Sequence, residues 1–514
     1  MKLMKEGSFM ELMKSSALQY AAVSRACTIH EESLDAIVPD TFPDIEAVCC
    51  ALGSMEIREK LVQTDRVMVS GNIRCALVYR GESGGPLCAL ECAVPFAALA
   101  EARGCRQQDT VFTKASLLRV EGRMLNPRKF AVRAEFCLET QVCALRECQV
   151  CEGAEGRPEE GIETLVEQRR FDSTVCMREK SLSIHEDVRL TGEGCSGEDR
   201  VLRSWAELTT EDVRVISNKV MLRGAARGEA LVLRQGAGTM AKESFSLPFS
   251  QIIELENAED GDIAEVEYCL KSCQCTIVEG GEGPLLQCDL TAEACVRVRR
   301  EICKNVLLDA FSTAYACQVK QGTLEAPAAT QKTAAAGELR LTLDTPERAC
   351  AIADYTVAVK SCSASGGEGV ARASLCVSLI YYNEQNQPCQ HLQTAECEAR
   401  FAGGWAGDCL CACDLSGLAI VCADGTAQLS GAVNFTVSAP AEEKTFQVEE
   451  FQLLEDEPKE KKSRASLILR RAQGGETVWQ LSKRFNASPQ QIMAANRLED
   501  QSPLEPGALV MIPF

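Results

Sequence analysis

The side chains with the greatest chemical potential are 29 cysteines, some of which are closely spaced. Cys148 and Cys151 have the spacing of a zinc knuckle, but no second pair follows at zinc-finger distance. Alternate residues of a strand lie on one face about 6.6 Å apart, so the runs Cys273–Cys275 and Cys409–Cys413 suit packing better than chelation. Other cysteines sit in apolar runs, where cysteine acts as a small buried hydrophobe. We therefore predict buried, reduced thiols and no bound metal.

The sequence does not indicate a catalytic centre. It has no Ser, His and Asp order typical of hydrolases, no glycine-rich phosphate loop and no His-Glu-x-x-His motif. Only His30, His185 and His391 are available for proton transfer near neutral pH. Paired carboxylates such as Glu159-Glu160 lie in polar stretches that favour solvated side chains. The expected protein is non-enzymatic and needs no cofactor.

The charge balance restricts the class of partner. Among 514 residues, 54 are Lys or Arg and 74 are Asp or Glu, which gives a net charge of −20. Nucleic acids and anionic membranes need a basic surface, so neither is expected as the main partner. No stretch approaches the roughly 20 apolar residues of a transmembrane helix. No apolar signal-peptide region follows the first lysines. We therefore expect a cytoplasmic protein with reduced cysteines.

The last segment, residues 466–514, reads as a small domain of its own. Apolar runs at Leu467–Leu469 and Ala508–Ile512 are each long enough for one strand. Between them, Val478, Leu481 and Phe485 form the apolar stripe of a first helix. A second helix is expected to begin with Ser488 as its N-cap and Pro489 at its first position. Gln491 would complete a capping box, and Asn496 would end the helix in a left-handed turn. The predicted order is strand, helix, helix, strand.

These residues resemble the LysM domain. The likeness rests on the runs Gly475–Trp479, Ala487–Ile492, Asn496–Leu498 and Leu504–Gly507, followed by Ile512-Pro513. The resemblance implies a shallow groove that binds N-acetylglucosamine polymers largely through backbone groups. The residues that would line this groove are Gly475, Glu476, Thr477, Asn496, Leu498 and Leu504. The alternative for Val478, Trp479 and Leu498 is that they are simply core of a tiny domain.

Upstream, the sequence contains an internal repeat. The run Val67–Gly71 returns as Val220–Gly224, and Val94–Phe96 returns as Leu247–Phe249, both at an offset of 153 residues. Ala76–Arg80 returns as Ala230–Arg234 at an offset of 154 residues, which predicts a one-residue bulge near Gly228. Alternating apolar and polar residues in these runs indicate half-buried strands. We therefore predict two copies of one strand-rich domain.

A length of 514 residues predicts several domains, and the expected boundaries follow from the repeat and from polar linkers. A third copy is expected from the strand character of Val370–Tyr382, although it lacks the Pro-Phe element. Linkers are expected at residues 152–161 and 326–337, and a helix near the amino terminus. The predicted division is an N-terminal segment (1–36), three strand-rich domains (37–151, 164–323 and 338–453), a linker (454–465) and the C-terminal domain (466–514), which this linker should leave independent of the repeats.

The repeated domains resemble the SPOCS domain, a sporulation-associated module of spore-forming Firmicutes. The likeness rests on Val38–Asp40, Pro43–Ile45, Leu125–Lys129 and Ser217–Val220. SPOCS repeats followed by one LysM domain resemble clostridial spore-coat morphogenetic proteins. This implies a scaffold in the mother-cell cytoplasm, at the forespore surface, whose LysM domain engages the coat-basement ATPase or another coat protein. The alternative is a protein that binds peptidoglycan of the cell wall or cortex. Both imply a mainly β multidomain fold with a small C-terminal α/β domain.

Overall fold

The computed structural model describes residues 8–82, 85–190, 195–281, 283–324, 330–403, 405, 409–440, 446–459, 466–499 and 503–513. The fold is mainly β, with two α-helices in the C-terminal domain, as predicted. A short 3-10 helix at Pro158–Glu160, which was not predicted, lies in the expected linker at 152–161.

The regular elements follow one another along the chain with few long connections. The strands are β1 (Ser8–Phe9), β2 (Leu12–Ile37), β3 (Ile45–Gln63), β4 (Arg66–Gly81), β5 (Leu87–Glu101), β6 (Thr110–Asn126), β7 (Lys129–Ala154), β8 (Ile162–Arg189), β9 (Arg200–Ile216), β10 (Lys219–Arg234), β11 (Thr239–Glu254), β12 (Ile263–Gly280), β13 (Gly283–Ser312), β14 (Tyr315–Thr323), β15 (Thr330–Leu343), β16 (Ala351–Ser365), β17 (Val370–Tyr382), β18 (Pro388–Arg400), β19 (Leu410–Ala423), β20 (Thr426–Pro440), β21 (Phe446–Pro458), β22 (Leu467–Arg471) and β23 (Leu509–Pro513). The α-helices are α1 (Val478–Phe485) and α2 (Pro489–Asn496).

Three units share one topology. In each unit, three consecutive strands form an antiparallel inner sheet, and the strands before and after them form an outer sheet. The inner sheets are β3-β4-β5, β9-β10-β11 and β16-β17-β18, and the outer sheets are β2-β7-β6, β8-β13-β12 and β15-β20-β19. Each pair of sheets encloses its own apolar cluster. Strands β1, β21 and β14 form a separate sheet that links distant parts of the chain.

Corresponding residues of the first two units are 153 positions apart in the sequence. A Cβ on Gly71 would lie 2.0 Å from the Glu56 carbonyl oxygen, and a Cβ on Gly224 would lie 2.2 Å from that of Thr209. Both glycines are therefore required by the close approach of the neighbouring strand. The strand before each glycine carries a bulge, at Arg58 in one unit and Glu211 in the other.

The bulge predicted near Gly228 is wrong. Strand β10 pairs with β11 without interruption from Lys219 to Arg234, so no residue is inserted there. The offset of 154 arose from a chance match of neighbouring apolar residues. A one-residue shift would turn every side chain to the opposite face, and the buried faces of β4 and β10 exclude it.

The predicted N-terminal helix is also wrong, because residues 12–37 form β2, which pairs with β7. Partly buried and exposed residues alternate from Ser24 to Ile37, the period of a strand. The predicted linker at 326–337 is strand β15 from Thr330 on, and residues 325–329 lie outside the described residues. Strand β21 extends to Pro458 in the last predicted linker, of which residues 460–465 are likewise outside.

The three units pack against one another around a shared apolar cluster. Val78, Leu231 and Ile380, one from the central strand of each inner sheet, meet there. Charged groups border it: Asp354 lies 2.6 Å from Arg203 and 2.9 Å from Lys242, which joins the third unit to the second. Because these contacts exclude solvent between sheets, the units form one β body that carries the C-terminal domain.

Candidate functional site

The C-terminal domain has the predicted order of strand, helix, helix and strand, with β22 and β23 paired antiparallel. Val478, Leu481, Ile492, Val510 and Ile512 are fully or almost fully buried and form its core. The stripe expected of α1 therefore faces the core. This small domain provides the two loops that should border the groove, one before α1 and one between α2 and β23.

The first loop is held by a capping box at the start of α1. The Thr477 hydroxyl accepts a hydrogen bond from the Gln480 backbone N–H at 3.2 Å, and the Thr477 N–H donates to Gln480 Oε1 at 3.1 Å. Gly475 precedes it with φ +78°, exposed and with no heavy atom within 4 Å of the place a Cβ would take. The predicted capping box of α2 is not formed, because Ser488 makes no side-chain cap bond.

Glu476 is tied to the same domain by charge. Its carboxylate lies 3.0 Å from Arg470 and accepts a hydrogen bond from the Gln473 backbone N–H at 3.1 Å. Only 11 % of the side chain is exposed. Arg470 and Arg484 both lie over the Phe485 ring, at 5.7 and 5.9 Å from its centroid. The Glu476 side chain therefore fixes the loop and is not directed to solvent.

Asn496 joins α2 to β23. Its amide nitrogen donates to the Met511 carbonyl at 2.6 Å, and its amide oxygen accepts from the Met511 N–H at 2.7 Å. Asn496 does not take the left-handed turn that we expected of it. Arg497 takes this conformation, with φ +53°, while the Asn496 side chain is bonded to the backbone of β23.

The remaining two predicted residues pack inward. Leu504 is 8 % exposed and belongs to the core, and Leu498 is partly buried against it. The Leu504 N–H donates to the Glu476 carbonyl at 2.9 Å, and the Leu498 N–H donates to the Met493 carbonyl at 3.0 Å. The Glu476 N–H is bonded to the Gln473 carbonyl at 3.1 Å. The structure thus joins the two loops through Leu504 and Glu476, whereas Asn496 is bonded to β23. Four backbone N–H groups of the predicted residues, those of Glu476, Thr477, Leu498 and Leu504, are already satisfied inside the domain.

One surface was not anticipated from the sequence. Leu467, Leu469, Leu509 and Met511 are 44, 57, 61 and 36 % exposed, and all point away from the core on the outer face of the two-stranded sheet. Leu469 and Met511 are directly opposite in the pairing. We call these four residues the outer LysM face. Period-2 alternation in Leu467–Arg471 and Leu509–Pro513 would have predicted it, since residues i and i+2 share a face.

The position of Trp479 was also left open by the sequence. It is 5 % exposed but does not belong to the core of its own domain. Its ring meets Phe311 of β13 edge to face, with centroids 5.0 Å apart, and its Nε1–H donates to Asp309 at 2.8 Å. The domain is therefore in contact with the β body, contrary to the expected independence. Trp479 lies off the stripe of Val478, Leu481 and Phe485, so its burial requires a neighbour outside the domain.

The cysteines are free thiols in the structure, and 15 of the 29 are buried. Cys275 and Cys288 are opposite each other on β12 and β13 with their sulfurs 3.5 Å apart. Burial raises the pKa of Cys269 and of Cys176 to about 11. Within the described residues, no group of three or more His, Cys, Asp or Glu side chains could hold a metal ion.

The fold defines a multidomain β protein with a small C-terminal domain of two strands and two helices. Comparison with domain families agrees. The family described as SipL, SPOCS domain matches residues 44–125 and 199–278, and the LysM domain matches residues 473–513. No curated protein and no solved structure matches the chain.

The chain therefore has SPOCS domains followed by a C-terminal LysM domain. This combination fits a sporulation-related protein whose last module is of the peptidoglycan-binding LysM class, and the domains found are non-catalytic binding domains. Neither α1 nor α2, nor any other helix in the described ranges, has the length and apolar character to span a membrane.

Proposed function

We propose that this protein is a non-enzymatic scaffold for assembly of the spore coat, placed at the forespore surface in the mother-cell cytoplasm. Its LysM domain engages a protein partner, the coat-basement ATPase or another coat protein. The outer LysM face is the observation that carries the proposal. Exposed apolar side chains in contiguous patches are typical of protein-binding surfaces, and this face has four of them on a sheet of two strands.

The groove residues support a protein partner for a second reason. Sugar polymers present hydroxyl and amide groups, so their recognition requires donors and acceptors that are open to the ligand. In this domain the Thr477 hydroxyl, the Glu476 carboxylate and the Asn496 amide are all bonded internally. Four backbone N–H groups of the predicted groove residues are also bonded internally. Apolar contact through the outer LysM face does not depend on these groups.

The alternative function is binding of peptidoglycan as an N-acetylglucosamine polymer. The LysM match favours it, and so does Gly475, which is exposed with open space beside its Cα. A sugar ring could approach the backbone closely at this point, because no side chain occupies it.

We also propose that the third unit is a third SPOCS domain, in which case the scaffold has three. Its inner and outer sheets have the strand order of the two matched units. The first strand of its inner sheet carries bulges at Ala353 and Lys360, as β9 does at Leu202 and Glu211. Such bulges re-aim the strand toward the outer sheet, a feature that a family of repeats would retain.

The cellular test uses the full-length chain in its host during sporulation. A fluorescent fusion should collect around the forespore, and deletion should leave coat material detached from it. The double variant Leu469→Ser with Met511→Ser should lose coat attachment. The matched control Ile252→Ser, at a side chain 56 % exposed on β11, should retain it. An even cytoplasmic distribution together with a normal coat in the deletion strain would refute the proposal.

A further inference from the structure

The LysM domain rests on the β body through one side of α1. Trp479 is the first residue after Val478 in this helix, and its indole is almost fully buried although it contributes nothing to the LysM core. The indole packs against Phe311, which is 2 % exposed. Aromatic rings in an edge-to-face arrangement attract each other beyond their simple apolar burial. The contact is therefore a packed interface between two domains.

The carboxylate of Asp309 fixes the orientation of α1 in this contact. Asp309 Oδ2 accepts hydrogen bonds from Trp479 Nε1 at 2.8 Å and from Lys483 Nζ at 2.7 Å. Trp479 and Lys483 are four residues apart and lie on the same side of α1. Both must reach the same oxygen, so the rotation of α1 about its axis is fixed. A charged acceptor makes these bonds stronger than neutral ones.

The Asp309 carboxylate is also held by a contact within its own strand. Asp309 Oδ1 accepts a hydrogen bond from the Ala310 N–H at 2.9 Å. The pairing of β13 with β8 shifts between Leu307 and Asp309, which leaves Leu308 as a bulge. Bulges re-aim the side chains that follow them. The site is thus built into β13 and needs little reorganisation to bind the helix.

Lys459, which precedes the linker to the LysM domain, contacts the same part of β13. Lys459 donates from Nζ to the Ser312 carbonyl at 2.7 Å and lies 5.8 Å from the centroid of the Phe311 ring. Phe311 therefore contacts the chain both where it leaves the β body, at Lys459, and where it returns, at Trp479. The described chain therefore ends its contact with the β body and resumes it, in α1, at the same ring.

We propose that Asp309 and Phe311 form a docking site for α1, which holds the LysM domain in one orientation on the second unit. Asp309 is a positioning residue in this arrangement. The docked state covers the indole of Trp479 and leaves the outer LysM face, on β22 and β23, exposed. A partner thus meets the outer LysM face in a fixed relation to the SPOCS units. The proposal does not depend on which partner binds.

The test measures the accessibility of Trp479 in the full-length chain. Trp205→Phe and Trp405→Phe leave Trp479 as the single tryptophan, so its fluorescence can be read alone. Asp309→Ala should shift the emission to longer wavelength and raise the acrylamide quenching constant several-fold. Lys483→Ala should do the same to a smaller extent. Glu301→Ala, on the same strand in an exposed pair with Arg170, is the control and should change neither.

The result that would overturn the proposal is also defined by this experiment. If Trp479 of the parent chain is quenched as readily as free N-acetyltryptophanamide, the domain is not docked. If Asp309→Ala changes quenching no more than Glu301→Ala does, Asp309 does not position the helix. Circular dichroism of each variant verifies that the β body remains folded. No partner is present in the assay, so its outcome is separate from that of the proposed function.

Discussion

The backbone N–H of Leu504 donates to the carbonyl oxygen of Glu476 at 2.9 Å, so the two loops of the predicted groove are bonded directly to each other. The loop before α1 and the loop before β23 are therefore held to each other by the domain itself, without a ligand. A small domain with few core residues needs such bonds to hold its loops.

The first prediction concerns the cap of α1. Thr477→Ala removes the hydroxyl that accepts from the Gln480 N–H, and loss of an N-cap costs about 1 kcal/mol of helix stability. Hydrogen exchange of the α1 amides should therefore become faster, while exchange in β10 stays the same. Thr477→Ser retains the hydroxyl and is the control. Equal protection in the alanine and serine variants would show that the cap contributes nothing.

The second prediction concerns the close approach of strands in the repeat. Gly224→Ala places a Cβ 2.2 Å from the Thr209 carbonyl oxygen, which forces a backbone shift costing about 1–3 kcal/mol. Gly236 lies in the turn of the same unit with no heavy atom within 4 Å of its Cβ position. Gly236→Ala should thus be nearly neutral. Urea unfolding measures both, and equal midpoints would contradict the structural role of Gly224.

The third prediction concerns the junction of the second and third units. Asp354 is 1 % exposed, accepts a hydrogen bond from Arg203 and lies 2.9 Å from Lys242 Nζ, so Asp354→Ala leaves the largely buried Arg203 guanidinium without its carboxylate. Removal of one member of a buried ion pair costs about 3–5 kcal/mol. Glu301→Ala breaks an exposed pair and should cost at most about 1 kcal/mol. Similar losses of unfolding free energy in the two variants would argue against a tight junction.

The fourth prediction concerns acid stability. Asp262 accepts two hydrogen bonds from the Arg300 guanidinium, at 2.7 and 2.8 Å, and these bonds lower the pKa of Asp262 although burial opposes them. Its folded pKa lies below its unfolded value near 3.9, so its contribution to stability is present above about pH 4 and is lost as the pH falls through the folded pKa. Urea unfolding from pH 6 to pH 2.5 should show this loss. Asp262→Asn should reduce it, and an identical pH profile in the variant would contradict the assignment.

The fifth prediction concerns the thiols. Burial raises the pKa of Cys269 to about 11 and that of Cys295 to about 12, so at pH 8 both remain protonated and unreactive. Cys303 and Cys350 are exposed. Alkylation with N-ethylmaleimide at pH 8, read by mass spectrometry, should modify the exposed pair first and the buried pair only after denaturation. Early labelling of Cys269 or Cys295 would show that these strands open readily.

Much of this architecture could be predicted from local sequence patterns. The alternation in Val67–Arg80 and the stripe of Val478, Leu481 and Phe485 indicated the strands and helix correctly, because each buries one face. The LysM and SPOCS likenesses rested on short turn motifs that the fold retains. Of the six groove residues, Glu476 and Leu504 are bonded to each other, and the roles of all six in ligand binding stay predictions.

The errors have a common physical cause, which is that distant pairing decides local structure. Residues 12–37 were expected to include a helix, but β7 offers an unpaired edge and β2 fills it. The alanine-rich run from Thr330 was interpreted as a linker, but it pairs with β20. The docking of Trp479 depends on Asp309, which lies 170 residues earlier in the chain. No local pattern in the sequence contains such contacts.

The most direct test of the proposed function is a binding measurement with purified components. Full-length protein is incubated with the coat-basement ATPase of its host and, in parallel, sedimented with purified peptidoglycan. We predict that it binds the ATPase and stays in the supernatant of the peptidoglycan sample. The variant Leu469→Ser with Met511→Ser should lose the ATPase, and Ile252→Ser should retain it. Sedimentation with peptidoglycan and no binding to the ATPase would contradict the scaffold and favour the glycan-binding alternative.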